Sequence, residues 1–73
     1  MSISVRIKLG QKIRRFRLAK KLTQDELAEL TGIDYKYIQK IEGKTPPAIR
    51  IDTIQKIAKA LKVSLSEMMD FAK

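Results

Sequence analysis

Residues 24–41 read Gln-Asp-Glu-Leu-Ala-Glu-Leu-Thr-Gly-Ile-Asp-Tyr-Lys-Tyr-Ile-Gln-Lys-Ile, and their pattern decides the fold. Two short amphipathic helices are written here, on either side of Gly32. Leu27, Ile33, Ile38 and Ile41 are the apolar contacts such a pair must bury, and Ala28 is small where the second helix passes the first. Gly32 stands where the backbone turns sharply. Ahead of the pair, Thr23-Gln-Asp-Glu26 is a capping box: the Thr hydroxyl accepts from the amide three residues on, and the Glu side chain reaches back. Leu22 can staple against Leu27, and Asp25 and Glu26 suit the positive end of the helix dipole. The first helix of the pair runs to about Leu30. Asp34 is a good N-cap for the second, Tyr35 to Glu42, and Gly43 ends it. Tyr35, Lys36, Gln39 and Lys40 then face outward.

Working toward the N-terminus, residues 5–20 read as a helix with Leu9, Ile13 and Phe16 on one face. Gly10 inside it costs about 1 kcal/mol relative to Ala, so it permits a close helix contact or marks fraying. Arg17 lies beside Ile13 at the edge of the apolar stripe, where a guanidinium must snorkel or find a buried carboxylate. Lys8, Lys12 and Arg15 form a solvated face. Lys21 follows where Gly would be the easier C-cap. Toward the C-terminus, Lys44-Thr-Pro-Pro-Ala-Ile49 is a loop, because Pro46 and Pro47 forbid helix. A further helix runs from Ile51 or Asp52 to Leu61, with Ile54, Ile57, Ala58 and Leu61 as its stripe. Asp52 with Gln55 would cap it, while Ile51 has the look of a core residue. After the short link Lys62-Val63, a second capping box, Ser64-Leu-Ser-Glu67, opens a last helix carrying Leu65, Met68, Met69 and Phe71. The expectation is one all-α domain over residues 1–73, near the lower size limit for a core that folds without staples.

Composition narrows the partners. With no Cys and no His, disulfides, thiolate zinc sites and His-based chemistry are excluded. No paired carboxylates, nucleophile–base set or metal constellation points to an enzyme, and no cofactor is expected. No apolar run reaches the roughly 20 residues of a membrane span, and the N-terminus lacks a signal-peptide core, so a cytoplasmic address is expected. Net charge is +8, and residues 1–21 hold eight Lys/Arg and no acid. Charge of that size on so small a domain implies a polyanionic partner, nucleic acid or an anionic surface. A membrane-surface role ranks low, because the basic first helix needs its apolar stripe for the core.

The residues from Ile13 to Leu65 resemble the phage-repressor and Cro-type (XRE-like) helix-turn-helix family. The resemblance is carried by Ile13-x-x-Phe16-Arg17, Leu22-Thr-Gln24-x-Glu26-Leu27-Ala28, Gly32-Ile33, Tyr37-Ile38-x-x-Ile41-Glu42, Gly43-Lys44 and Ile57-Ala-Lys-Ala-Leu61. It implies a compact five-helix bundle of the lambda-repressor-like type, with helices two and three forming the helix-turn-helix. It further implies that Gln24 clamps a phosphate and that Asp34, Tyr35, Lys36, Gln39 and Lys40 read bases. Tyr37, Lys44, Thr45 and Arg50 would meet phosphates, and Arg17 and Glu42 would form an ion pair joining helix one to helix three. Three departures bear on the transfer. Glu42 and Gly43 are adjacent where the family usually has one residue between them. The loop that follows is longer and carries two prolines, and Lys21 stands in place of a Gly.

These readings converge on a sequence-specific double-stranded-DNA-binding transcriptional regulator of repressor type, inserting helix three into the major groove. Lys36 or Lys40 would donate to guanine and Gln39 would pair with adenine. A homodimer on two half-sites is expected, at least on DNA, with part of the Met68–Phe71 segment in the core or in the dimer contact. No small-molecule effector is evident. The competing reading is an antitoxin-type protein-binding module that also binds its own operator.

Overall fold

A computed structural model describes residues 2–71, so the single-domain expectation extends over Met1, Ala72 and Lys73, which lie outside the described residues. Five helices follow in order: α1 (Ile3–Ala19), α2 (Gln24–Thr31), α3 (Tyr35–Ile41), α4 (Ile51–Ala60) and α5 (Leu65–Met68). α2 packs on α3 and α4, α1 on α3 and α5, and α4 closes on α5. Leu9, Ile13, Leu27, Ile38, Ile41, Ile54, Ile57, Leu61 and Met68 are fully buried between them and form one core.

α1 begins two residues earlier than the apolar stripe suggested, because the Ser2 hydroxyl accepts the Val5 N–H at 3.2 Å and caps the first turn. Its buried line is Leu9, Ile13 and Arg17, one residue per turn, with Gly10 beside it. Arg17 therefore sits within the stripe, not at its edge. Gly10 resolves as a close contact. A Cβ there would land on the carbonyl oxygen of Ile41, so only glycine lets α1 cross the end of α3 at this height.

α1 and α4 end alike. Lys21 and Lys62 take left-handed backbone, φ 58° and 59°. In each case the next amide reaches back five residues, Leu22 N–H to the Arg17 carbonyl at 3.1 Å and Val63 N–H to the Ala58 carbonyl at 3.0 Å. Lys21 N–H and Lys62 N–H bond Leu18 and Lys59 in turn, completing two Schellman motifs. Leu22 and Val63 fold onto the core as the apolar partners of those motifs. α2 ends on Gly32 at φ 74°, and Thr31 completes the turn. Its buried hydroxyl donates to the Leu27 carbonyl at 2.8 Å and accepts the Ile33 N–H at 3.2 Å.

Several expectations change. Asp34 occupies the N-cap position of α3, but its side chain makes no capping bond. α3 stops at Ile41, with Glu42 as its C-cap. Ile51 is helical yet 60% exposed, and the core position belongs instead to Ile49, five percent exposed, with Pro46 buried beside the core. The Asp52–Gln55 box does not form; Asp52 accepts the amide of Thr53 at 3.0 Å and pairs with Arg50. Ile33 is half-buried rather than buried. Met68 is core, and Met69 and Phe71 pack partly buried against it, so most of that apolar surface is used within the chain.

Candidate nucleic-acid interface

The start of α2 is built by its capping box. Thr23 Oγ1 accepts the Glu26 N–H at 3.0 Å, and Glu26 Oε1 accepts the Thr23 N–H at 2.8 Å. These bonds satisfy the third amide of the helix and the cap, leaving the amides of Gln24 and Asp25 with no intrahelical partner at the positive end of the dipole. Beside them opens a groove lined by Arg14, Leu18, Lys21, Gln24, Asp25 and Tyr35, with Glu42 at its floor. Two cations face one solvent-exposed carboxylate there, so the groove suits an anion.

Its floor is a hydrogen-bonded hub. Arg17 Nε bonds Glu42 Oε2 at 2.8 Å and Arg17 Nη2 bonds Glu42 Oε1 at 2.8 Å, a bidentate pair. Both side chains are nearly sealed from water, 8% and 3% exposed. Arg17 Nη1 donates to the Leu22 carbonyl at 2.7 Å, which holds the turn between α1 and α2. The bond to Glu42 raises the Arg17 pKa above its ordinary value and outweighs the opposing effect of burial. Gln24 joins the hub: its Nε2 donates to Glu42 Oε1 at 3.1 Å.

α3 presents the rest. Asp34, Tyr35, Lys36, Gln39 and Lys40 are all exposed along its outer side. Gln39 Nε2 donates to the Tyr35 hydroxyl at 3.0 Å, an i,i+4 bond that presents the two polar ends together. Lys36, Gln39 and Lys40 line a second groove with Gly43, Lys44 and Thr45. A third, lined by Ile7, Gln11, Arg14, Glu42, Gly43 and Lys44, lies between the other two. Arg14 borders the first and third, Gly43 and Lys44 the second and third, so one basic track runs from Lys21 past Arg14 and Lys44 to Lys36.

The residues singled out in the sequence thus fall into two groups. Gln24, Tyr35, Lys36, Gln39, Lys40, Lys44 and Thr45 line this track, Asp34 is exposed next to Tyr35, and Arg17 and Glu42 hold the track from below. Tyr37 and Arg50 are placed differently. The Tyr37 ring is half-buried against the core, and Arg50 caps α4 in an exposed 3.5 Å pair with Asp52. Arg14 was missed. Its signal is positional: it stands one turn beyond Gly10, the residue at which α1 meets the end of α3.

Residues 13–68 match the model of the HTH_3 helix-turn-helix family. The chain belongs to that family. Its relatives include Control protein C.BamHI of Bacillus amyloliquefaciens, 38% identical over 97% of this chain and 88% of that one. The crystal structure of the restriction-modification controller protein C.AhdI from Aeromonas hydrophila superposes with a TM-score of 0.80 at 35% identity, covering 86% of this chain and 94% of that one. The hypothetical transcription factor NHTF from Neisseria gives 0.83 at 32% identity, over 89% and 74% of the two chains. Family membership makes this an HTH_3 DNA-binding transcriptional regulator, with α2 and α3 as its helix-turn-helix. Among the described residues no helix is long and apolar enough to cross a membrane, and no group of acids is placed to hold a metal.

Proposed function

We propose that this HTH_3 protein is a sequence-specific repressor that binds duplex DNA with α3 in the major groove. The observation that carries the reading is the basic track: exposed polar side chains on the first turns of α3, flanked on both sides by grooves edged with Lys and Arg. Phosphate neutralisation along the track supplies most of the affinity. Gln24 and the free amides of the α2 first turn take one phosphate, with Arg14 and Lys21 beside it. Lys44 and Thr45 take another at the far end of α3. Between them Lys36 and Lys40 donate to guanine O6 and N7, Gln39 bonds adenine, and Tyr35 packs against a thymine methyl.

α3 is seven residues long, about 10 Å, so one chain covers about three base pairs. A homodimer on two half-sites supplies the remaining specificity. Occupying an operator that overlaps a promoter excludes RNA polymerase, which makes repression the direct consequence of binding. Two relatives, a control protein and a restriction-modification controller protein, agree with a regulatory role.

The test is footprinting on the protein's own promoter, followed by binding measurements on the protected sequence and its variants. Lys36→Ala and Gln39→Ala are expected to change base preference by about 1–3 kcal/mol at single positions. Gln24→Ala and Arg14→Ala are expected to weaken binding to every sequence alike. If Lys36→Ala and Gln39→Ala alter preference no more than Lys12→Ala does, the readout assignment fails.

A further inference from the structure

Gln24 reaches the phosphate site already tied to the protein by its side-chain amide. We propose that Glu42 is a positioning residue for this clamp, aiming the free amide hydrogen of Gln24 at the DNA backbone. The proposal rests on the reading of Gln24 as a phosphate ligand.

Glu42 Oε1 accepts from Arg17 Nη2 at 2.8 Å and from Gln24 Nε2 at 3.1 Å, which fills both lone pairs of that oxygen. The carboxylate itself cannot swing. Arg17 holds its other oxygen at 2.8 Å, and Arg17 is in turn pinned by the Leu22 carbonyl, two residues before Gln24. A primary amide carries two hydrogens on a planar nitrogen. With one directed at a carboxylate only 3% exposed, the other points away from the protein floor. Gln24 lines the groove edged by Arg14, Lys21 and Tyr35, so that second hydrogen is left for a ligand there. The side-chain entropy of Gln24 is therefore surrendered on folding and not on binding DNA. Glu42 is also the C-cap residue of α3, so the reading helix and the phosphate clamp share one anchor across three helices. Through Gln24 the Arg17–Glu42 pair acts on DNA as well as on the fold.

The opposite sign is chemically possible, since a bond that must break before phosphate engages would make Glu42 a competitor. A double-mutant cycle separates the two. Affinity for a random-sequence 30-base-pair duplex at low salt is measured for the native chain, Gln24→Ala, the apolar replacement Arg17→Met with Glu42→Leu, and the triple variant. Gln24→Ala is expected to weaken binding at least about tenfold in the native background, as loss of a hydrogen bond to a charged group does. In the apolar background it should cost less than about 1.5-fold. An equal cost in both backgrounds overturns the positioning role, and a larger cost in the apolar background overturns it in favour of competition. No cost in the native background removes Gln24 as a phosphate ligand altogether, a different failure from the first two. Should the apolar variant not fold, the ¹⁵N-resolved side-chain amide resonances of Gln24 in the native chain decide instead. Gln24 is expected to be as rigid as the backbone without the duplex, and on adding the duplex only one of its two amide hydrogens should shift, the one bonded to Glu42 staying in place; mobility equal to that of exposed Gln55, or a shift of both hydrogens, overturns the proposal.

Discussion

Arg17 shows how one side chain acquires several duties. It occupies a core position on α1, and its charge is tolerated there only because Glu42 and the Leu22 carbonyl take up its donors. Removing one partner strands the other charge away from water, and Arg17→Ala is expected to cost about 3–5 kcal/mol. Replacing both, Arg17→Met with Glu42→Leu, is expected to leave stability near the native value or above it, because neither charge then needs compensation. Urea titration of the three proteins reads the contrast directly; equal losses in both variants would mean the pair is worth no more than its packing. A second carboxylate gives a pH signature. The hydrogen bond donated by the Ser64 backbone amide, with a smaller contribution from the Ser64 side chain, holds the Glu67 pKa below the ordinary carboxylate range. A depressed folded pKa means the ionised form is favoured by folding. Its contribution is fully present above the unfolded value, about 4.3, and is lost as pH falls through the lower folded value. Glu67→Gln should therefore lower the melting temperature at pH 7, and the gap to the native chain should close as pH drops below 4. A gap independent of pH would show that the cap works through geometry alone.

The helices differ in how visibly their ends are written. Both capping boxes form at the residues that spell them, because a capping box is closed within four residues and needs no distant partner. The two Schellman ends were half legible. Lys21 stood out where Gly is easier, but Lys62 read only as a link, although φ is 59° there and 58° at Lys21. Left-handed backbone disfavours any residue with a Cβ by about 1 kcal/mol, while glycine also loosens the unfolded chain. Lys21→Gly and Lys62→Gly are accordingly each expected to stabilise the fold by about 0.5 kcal/mol, measured as a rise in the thermal midpoint, and to act additively. A drop on either substitution would mean the lysine stem contributes packing that outweighs the strain. What could not be read locally depends on where the chain travels between helices. Ile49 and Ile51 are both apolar, and only the path of the proline loop decides that the first is buried and the second exposed. Gly10 likewise looked ambiguous until α3 was in place above it. The outward set on α3 was legible because a helix start and its period fix which side chains face away. Arg14 was not, since its role follows from the crossing of two helices.

At the scale of the whole molecule, one charge distribution and one reading helix per chain must together give specificity. The net charge of +8 supplies affinity for any duplex, and that term falls steeply with salt. Each phosphate contact contributes close to one unit to the slope of log K against log salt, so Arg14→Ala should reduce the slope by about one and Lys12→Ala by less. Specificity is a separate quantity, since a stretch of about three base pairs recurs every few tens of base pairs in any genome. Two chains on inverted half-sites multiply their discrimination only if both α3 helices face the same side of the duplex. Their centres must then lie about one turn, 10–10.5 base pairs, apart. Inserting five base pairs between the half-sites of the protected operator rotates one of them by about half a turn, to the opposite face. Affinity is expected to fall toward the single-site level, with the binding curve losing its dependence on a second chain, while a ten-base-pair insertion restores part of it. Half-sites that bind equally well at every spacing would show that the chains act alone, and the specificity of the regulator would then have to reside in a single α3 and the loop from Gly43 to Arg50.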